Sequence, residues 1–90
     1  MLKRVDSNQK EIIKVLRQVG CTVMDLHEVG KGCPDILVGA NIKGKKHNFL
    51  MEIKTTKGRL TAAEKKFHSL WRGAVVIVRN SDEALRVLGI

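Results

Sequence analysis

The sequence predicts an α/β fold: a mixed four-stranded sheet flanked by helices, in the order α-β-β-β-α-β-α. Three patterns predict it. Ile12, Ile13, Leu16 and Val19 recur at helical spacing near the start of the chain. Two strand-like segments, "DILVG" and "HNFLMEIK", flank a turn signal at Lys43-Gly44, as in a hairpin. A helical stretch then separates the second strand from the apolar run "AVVIV", which gives a β-α-β crossover.

Each element has its own signal. Ser7 precedes "NQKEIIKVLRQVG", and Gly20 is placed to stop that helix. "CTVMDL", 21–26, reads as a strand, and "HEVGKGCP", 27–34, as a loop holding two glycines and the only proline. "DILVG", 35–39, is the second strand and "HNFLMEIK", 47–54, the third. Thr61 starts the helix "TAAEKKFHSLWRG", whose Ala63, Phe67, Leu70 and Trp71 share a face. The run 74–78 is continuously apolar, so burial on both sides is expected. Ser81 is expected to cap a last helix, "DEALRVL". No repeat or linker interrupts the 90 residues, and one domain spanning 1–90 is expected.

Lysine and arginine number 17 against 9 acidic residues, a net charge of +8. That favours a polyanionic partner, most often nucleic acid. Phe49, Phe67 and Trp71 are too few for a single-strand stacking platform. No stretch is long enough to span a bilayer, and Met1 leads into a charged segment, with no signal peptide visible. Cys21 and Cys33 do not make a disulfide framework, and with His27 they match no zinc spacing. Buried or half-buried thiols are expected.

If Lys43-Gly44 is a two-residue loop, Ile42 pairs with Lys45 and paired residue numbers sum to 87. Asp35 then lies opposite Glu52, on the same face, with side chains about 5 Å apart. Lys54 leans over that face two residues further on, while Phe49, Met51 and Ile53 point into the core. Like charges directly across a sheet destabilise it, so a compensating charge is needed. A hard divalent cation with oxygen ligands supplies one, and Lys54 another. The plainer alternative is a strand-start aspartate and an ordinary solvated Glu52–Lys54 pair. E-x-K alone is common; Pro-Asp, a hairpin-length gap and then E-I-K is far more specific.

"CPDILVG" followed by "FLMEIKTTKGRLT" resembles the PD-(D/E)xK nucleases, with Pro34, Asp35, Glu52 and Lys54 as the motif. "GRLTAAEKKFHSLWRGAVVIVRNSDEAL" resembles the VRR-NUC branch and its short stand-alone phage and bacterial members. The likeness runs from about residue 9 to the C-terminus. It implies a restriction-endonuclease-like core and Mg²⁺- or Mn²⁺-dependent hydrolysis of phosphodiesters. It implies metal ligation by Asp35, Glu52 and the Ile53 carbonyl, with Glu11 at the position of a further carboxylate. Lys54 would orient or activate the attacking water and stabilise charge on the phosphate. The implied location is a cytoplasm, bacterial or of a phage-infected host. The family often has glutamine where this chain has Glu64. Thr61-x-x-Glu64 also reads as a capping box, and that structural role is the one expected. For His68 the two readings are a role in the active site and a satisfied histidine under the sheet, and the second is the one expected.

Lys43, Lys45 and Lys46 crowd the hairpin tip, Lys57 and Arg59 follow the third strand, and Lys65 and Lys66 lie early in the next helix. These are the expected nucleic-acid contacts, gripping phosphates without reading bases. The expected function is a metal-dependent DNA endonuclease, selective for branched DNA such as four-way (Holliday) junctions and acting as a homodimer. The alternative is a non-catalytic nucleic-acid-binding module that keeps the nuclease fold. A sequence-specific restriction-type enzyme is a weaker third reading.

Overall fold

The structure, a computed structural model, describes residues 7–90. The elements follow the expected order: α1 (Ser7–Gln18), β1 (Thr22–Asp25), β2 (Ile36–Ile42), β3 (Lys45–Ile53), α2 (Ala62–Leu70), β4 (Val75–Val78) and α3 (Ser81–Val87). The strands form one sheet in the order β1-β2-β3-β4. β1–β2 and β2–β3 pair antiparallel and β3–β4 parallel, so the sheet is mixed.

Gly20 ends α1 as its position suggests. It takes φ +96°, its N–H donates to the Arg17 carbonyl, and the Cys21 N–H donates to Leu16, a Schellman arrangement. Ile12 and Leu16 are buried, but Val19 lies beyond the last helical residue and is 44% exposed. The buried stripe therefore runs through Gln9, Ile12 and Leu16 rather than reaching Val19.

The hairpin has the expected register. Paired residues run from Ile42–Lys45 to Ile36–Met51. Lys43 at φ +53° and Gly44 at φ +81° give the two left-handed central residues of a type I′ turn. β2 starts at Ile36 rather than Asp35, and it continues to Ile42, three residues past the segment expected from sequence. Met51 and Ile53 are buried on one face with Ile36, Val38 and Val78, and Phe49 packs against their edge. α1 and α3 cover that face through Ile12, Leu16, Ala84 and Leu88.

β4 differs from expectation. It is an edge strand, and Ile77 is 39% exposed, so the apolar run is not buried on both sides. α2 explains this. Among the described residues it contributes none to the buried core. Its Ala63, Phe67, Leu70 and Trp71 do share a face, which with Lys31 and Lys66 lines an open groove of about 310 Å³. The Phe67 ring stacks on Trp71 with centroids 5.1 Å apart. The cap of α3 is Asn80, whose side chain accepts from the Glu83 N–H at 2.8 Å; Ser81 is the first helical residue. Cys21 is a buried thiol, its pKa pushed up by burial, and Cys33 is half-buried.

Two contacts hold the loops around the open face of the sheet. Gly30, Lys31 and Gly32 all have positive φ, and a Cβ on Gly32 would collide with the Ala63 carbonyl at the start of α2. The Arg79 guanidinium donates to the carbonyls of Thr55 and Gly58, clamping the loop after β3. Among the described residues no helix is long and apolar enough to cross a membrane.

Candidate functional site

The open end of the β2–β3 hairpin brings Asp35, Glu52 and Lys54 together. Asp35 lies one residue before β2, where Pro34 has no N–H to continue the ladder. Its side chain completes the ladder: Asp35 Oδ2 accepts the Ile53 N–H at 2.7 Å. Glu52, at 2% exposure, is the buried carboxyl of the described residues. Burial first, then the adjacent Asp35 carboxyl, then Glu64, push Glu52 up to about 9, against the pull of Lys54. The direction of that shift favours the protonated form of Glu52, which would relieve the repulsion between the facing carboxylates.

Lys54 is fixed at its backbone. Its N–H donates to the Val78 carbonyl, and its own carbonyl accepts from the Asn8 side chain at 3.1 Å. The ammonium lies 2.8 Å from Glu64 Oε1 and 3.8 Å from Glu52 Oε2. Burial works to lower Lys54, but the Glu64 bond and then the charges of Glu64, Glu52 and Asp35 raise it above the usual lysine value. Burial would likewise raise Glu64, yet the bond from Lys54, then the Thr61 N–H, hold it below the usual carboxylate range. Two carboxyls therefore share one ammonium and are tuned in opposite directions.

Glu64 does form the expected capping box: its Oε1 accepts the Thr61 N–H at 2.8 Å, and Thr61 Oγ1 accepts the Glu64 N–H at 3.2 Å. A purely structural role is nevertheless a correction, because the same carboxylate grips Lys54. His68 also departs from expectation: among the described residues its buried Nε2 has no hydrogen-bond partner. It lies one turn after Glu64, on the same side of α2.

Glu11 is exposed on α1, one turn beyond Asn8. It does not complete a triad: among the described residues no group of three or more His, Cys, Asp or Glu side chains is arranged to hold a metal ion. The resemblance implies a role for the Ile53 carbonyl; the geometry adds one for its N–H, which orients Asp35. Lys57 and Arg59 are exposed on the clamped loop beside Lys54, and Lys65 and Lys66 are exposed on α2. Lys43, Lys45 and Lys46 are not part of this cluster. Glu52 lies seven positions along β3 from Lys45, roughly 23 Å at strand rise.

The fit of a divalent cation can be judged from the donors. Mg²⁺ keeps several waters and is usually bound through one or two carboxylates, so a pair suffices. Glu52 Oε1 is buried and, among the described residues, has no hydrogen-bond partner. A buried acceptor left unsatisfied is costly, and a cation between Asp35 and Glu52 would satisfy it. The Asp35 and Glu52 carboxyls are thus donors of the chemistry that a hard cation such as Mg²⁺ or Mn²⁺ takes, and would be its side-chain ligands.

No protein-family model matches the chain, and comparison with curated proteins and with solved structures gave no match either. The element order and the mixed sheet are consistent with a restriction-endonuclease-like fold.

Proposed function

We propose that this chain is a divalent-cation-dependent endonuclease that hydrolyses DNA phosphodiesters. The observation that supports it is the pairing of Asp35 with a buried Glu52 that has an unsatisfied Oε1, with the Lys54 ammonium 3.8 Å from Glu52. Asp35 and Glu52 would hold Mg²⁺ or Mn²⁺. When bound, such a cation acts as a Lewis acid on the phosphoryl oxygen and makes water a better nucleophile at neutral pH. Lys54 donates hydrogen bonds toward the phosphate and stabilises the charge that develops there. The Ile53 N–H keeps Asp35 aimed, and the apolar core under β3 keeps Glu52 from turning away. Lys57 and Arg59 contact backbone phosphates next to the cut.

Branched DNA, four-way junctions in particular, is the proposed substrate class. The basic groups lie at both ends of the β2–β3 hairpin, a span of several base pairs, and phosphate contacts read shape rather than sequence.

The second reading is a non-catalytic nucleic-acid-binding module on the same fold. The lack of a three-residue metal cluster among the described residues favours it, as does the engagement of Lys54 by Glu64. One experiment separates the two. Duplex, flap, splayed-arm, nicked and four-way junction DNA are incubated with the protein in Mg²⁺, Mn²⁺ or chelator. Metal-dependent cleavage that is lost in Glu52→Gln supports the nuclease. Retarded but uncut DNA under every condition supports the module.

A further inference from the structure

Glu64 has more chemistry than a helix cap needs. A glutamine would close the same capping box, since its side-chain oxygen accepts the N-cap N–H equally well. What glutamine lacks is the charge to hold an ammonium. Here that charge is used: Lys54 Nζ sits 2.8 Å from Glu64 and 3.8 Å from Glu52. The shorter contact is with the carboxylate that belongs to α2, not with the one on its own strand.

Both partners of that contact are anchored from elsewhere. Glu64 is fixed by the Thr61 N–H, and the start of α2 is pressed against Gly32. Lys54 is fixed by Val78 and Asn8 through its backbone, and its side chain is only 17% exposed. The ammonium thus has two acceptors within reach, Glu64 and Glu52. If Glu64 released it, Glu52 would be the remaining partner, and an ammonium on Glu52 competes for the same oxygens as a cation. Glu52 Oε1 stays unpartnered among the described residues.

We infer that Glu64 is a positioning residue that holds the Lys54 ammonium off Glu52 and so keeps the Asp35–Glu52 pair open to a divalent cation. This rests on the proposed metal site.

The test is direct Mn²⁺ binding to the purified full chain, read from the loss of the free-ion electron paramagnetic resonance signal, without DNA. The variants are Glu64→Gln, Lys54→Met and the double variant. Glu64→Gln should weaken Mn²⁺ binding by roughly tenfold, the usual scale for a lost charge-assisted hydrogen bond. Lys54→Met should bind at least as tightly as the unmodified protein. The double variant should bind like Lys54→Met, because Glu64 matters only through the lysine. Thr61→Ala is the folding control: it weakens the cap and lowers Tm, yet should leave Mn²⁺ binding unchanged. Glu64→Gln that binds like the unmodified protein overturns the inference and returns Glu64 to a cap. A double variant weaker than Lys54→Met also overturns it, making Glu64 a ligand in its own right. An unmodified protein that binds no Mn²⁺ overturns the metal site itself, and the inference with it.

Discussion

The Asp35 carboxylate accepts the Ile53 N–H at 2.7 Å, so a side chain takes the place of a backbone partner where the β2–β3 ladder ends. The bond fixes Asp35 next to Glu52 and ties the proposed site to the strand that carries it. Asp35→Asn can preserve this bond through its amide oxygen while removing the charge. It is expected to fold with little change in Tm but to lose cation binding and cleavage. Asp35→Ala loses the bond as well and should be about 1 kcal/mol less stable. Thermal unfolding and Mn²⁺ titration of both variants check this; an active Asp35→Asn would remove Asp35 from the site.

Glu52 gives a prediction with a definite sign in pH. Burial and the adjacent Asp35 carboxyl raise its folded pKa from the ordinary 4.5 to about 9. A raised acid stabilises the fold fully below its unfolded pKa, and that contribution is lost as pH rises through the folded value. In chelator, the unmodified protein should therefore lose stability between about pH 4.5 and 9. Glu52→Gln resembles the protonated acid and should show a flatter profile, overtaking the unmodified protein at the alkaline end. It should also abolish cleavage and leave DNA binding largely intact, because no phosphate contact is removed. Parallel Tm profiles for the two proteins would show that Glu52 does not titrate in this window.

Much of this arrangement was legible in the sequence, for local reasons. A two-residue loop fixes strand parity, so Lys43-Gly44 was enough to place Asp35 beside Glu52 and Met51 in the core. Gly20 announced the end of α1 because a Schellman turn needs a left-handed residue. What the sequence hid was non-local or ambiguous. Asn80 and Ser81 are both good caps, and only the extended backbone of Asn80 (φ −157°) decides between them. The apolar run of β4 suggested two covered faces, but an edge strand beside a loosely packed α2 leaves Ile77 exposed. Asn8 and Arg79 meet the β3 loop from opposite ends of the chain, and no spacing rule points to them. Glu64 was visible as a cap; its grip on Lys54 depends on how α2 docks.

The docking of α2 can be perturbed at a glycine. Gly30 and Gly32 both have left-handed φ, but among the described residues a Cβ on Gly30 meets nothing within 4 Å, whereas on Gly32 it meets the Ala63 backbone. Gly30→Ala should cost only the backbone strain, about 1 kcal/mol. Gly32→Ala adds a collision with the helix that carries Glu64, so it should lower Tm further and reduce cleavage as well. Equal effects of the two substitutions would mean that the loop does not set the position of α2.

The last prediction is a two-fold homodimer built on the open face of α2. Leu70 is 67% exposed and Trp71 49%, and Phe67 stacks on Trp71, leaving an apolar face that a second copy can cover. An isologous contact would bring ring stack against ring stack, with Lys31 and Lys66 at the wet rim. The net charge of +8 opposes the association, so the dimer should strengthen as salt screens the repulsion or as DNA neutralises it. A four-way junction has two strands to cut at related positions, and a two-fold pair of sites matches that symmetry. Sedimentation at micromolar concentration, with and without a junction, is expected to show a dimer, and Leu70→Glu a monomer. Leu70→Glu should keep Mn²⁺ binding, since Leu70 is an exposed residue at the last position of α2, six residues after Glu64, but lose paired incision of junctions. A protein that stays monomeric throughout, and cuts flaps faster than junctions, would instead assign the chain to asymmetric DNA intermediates.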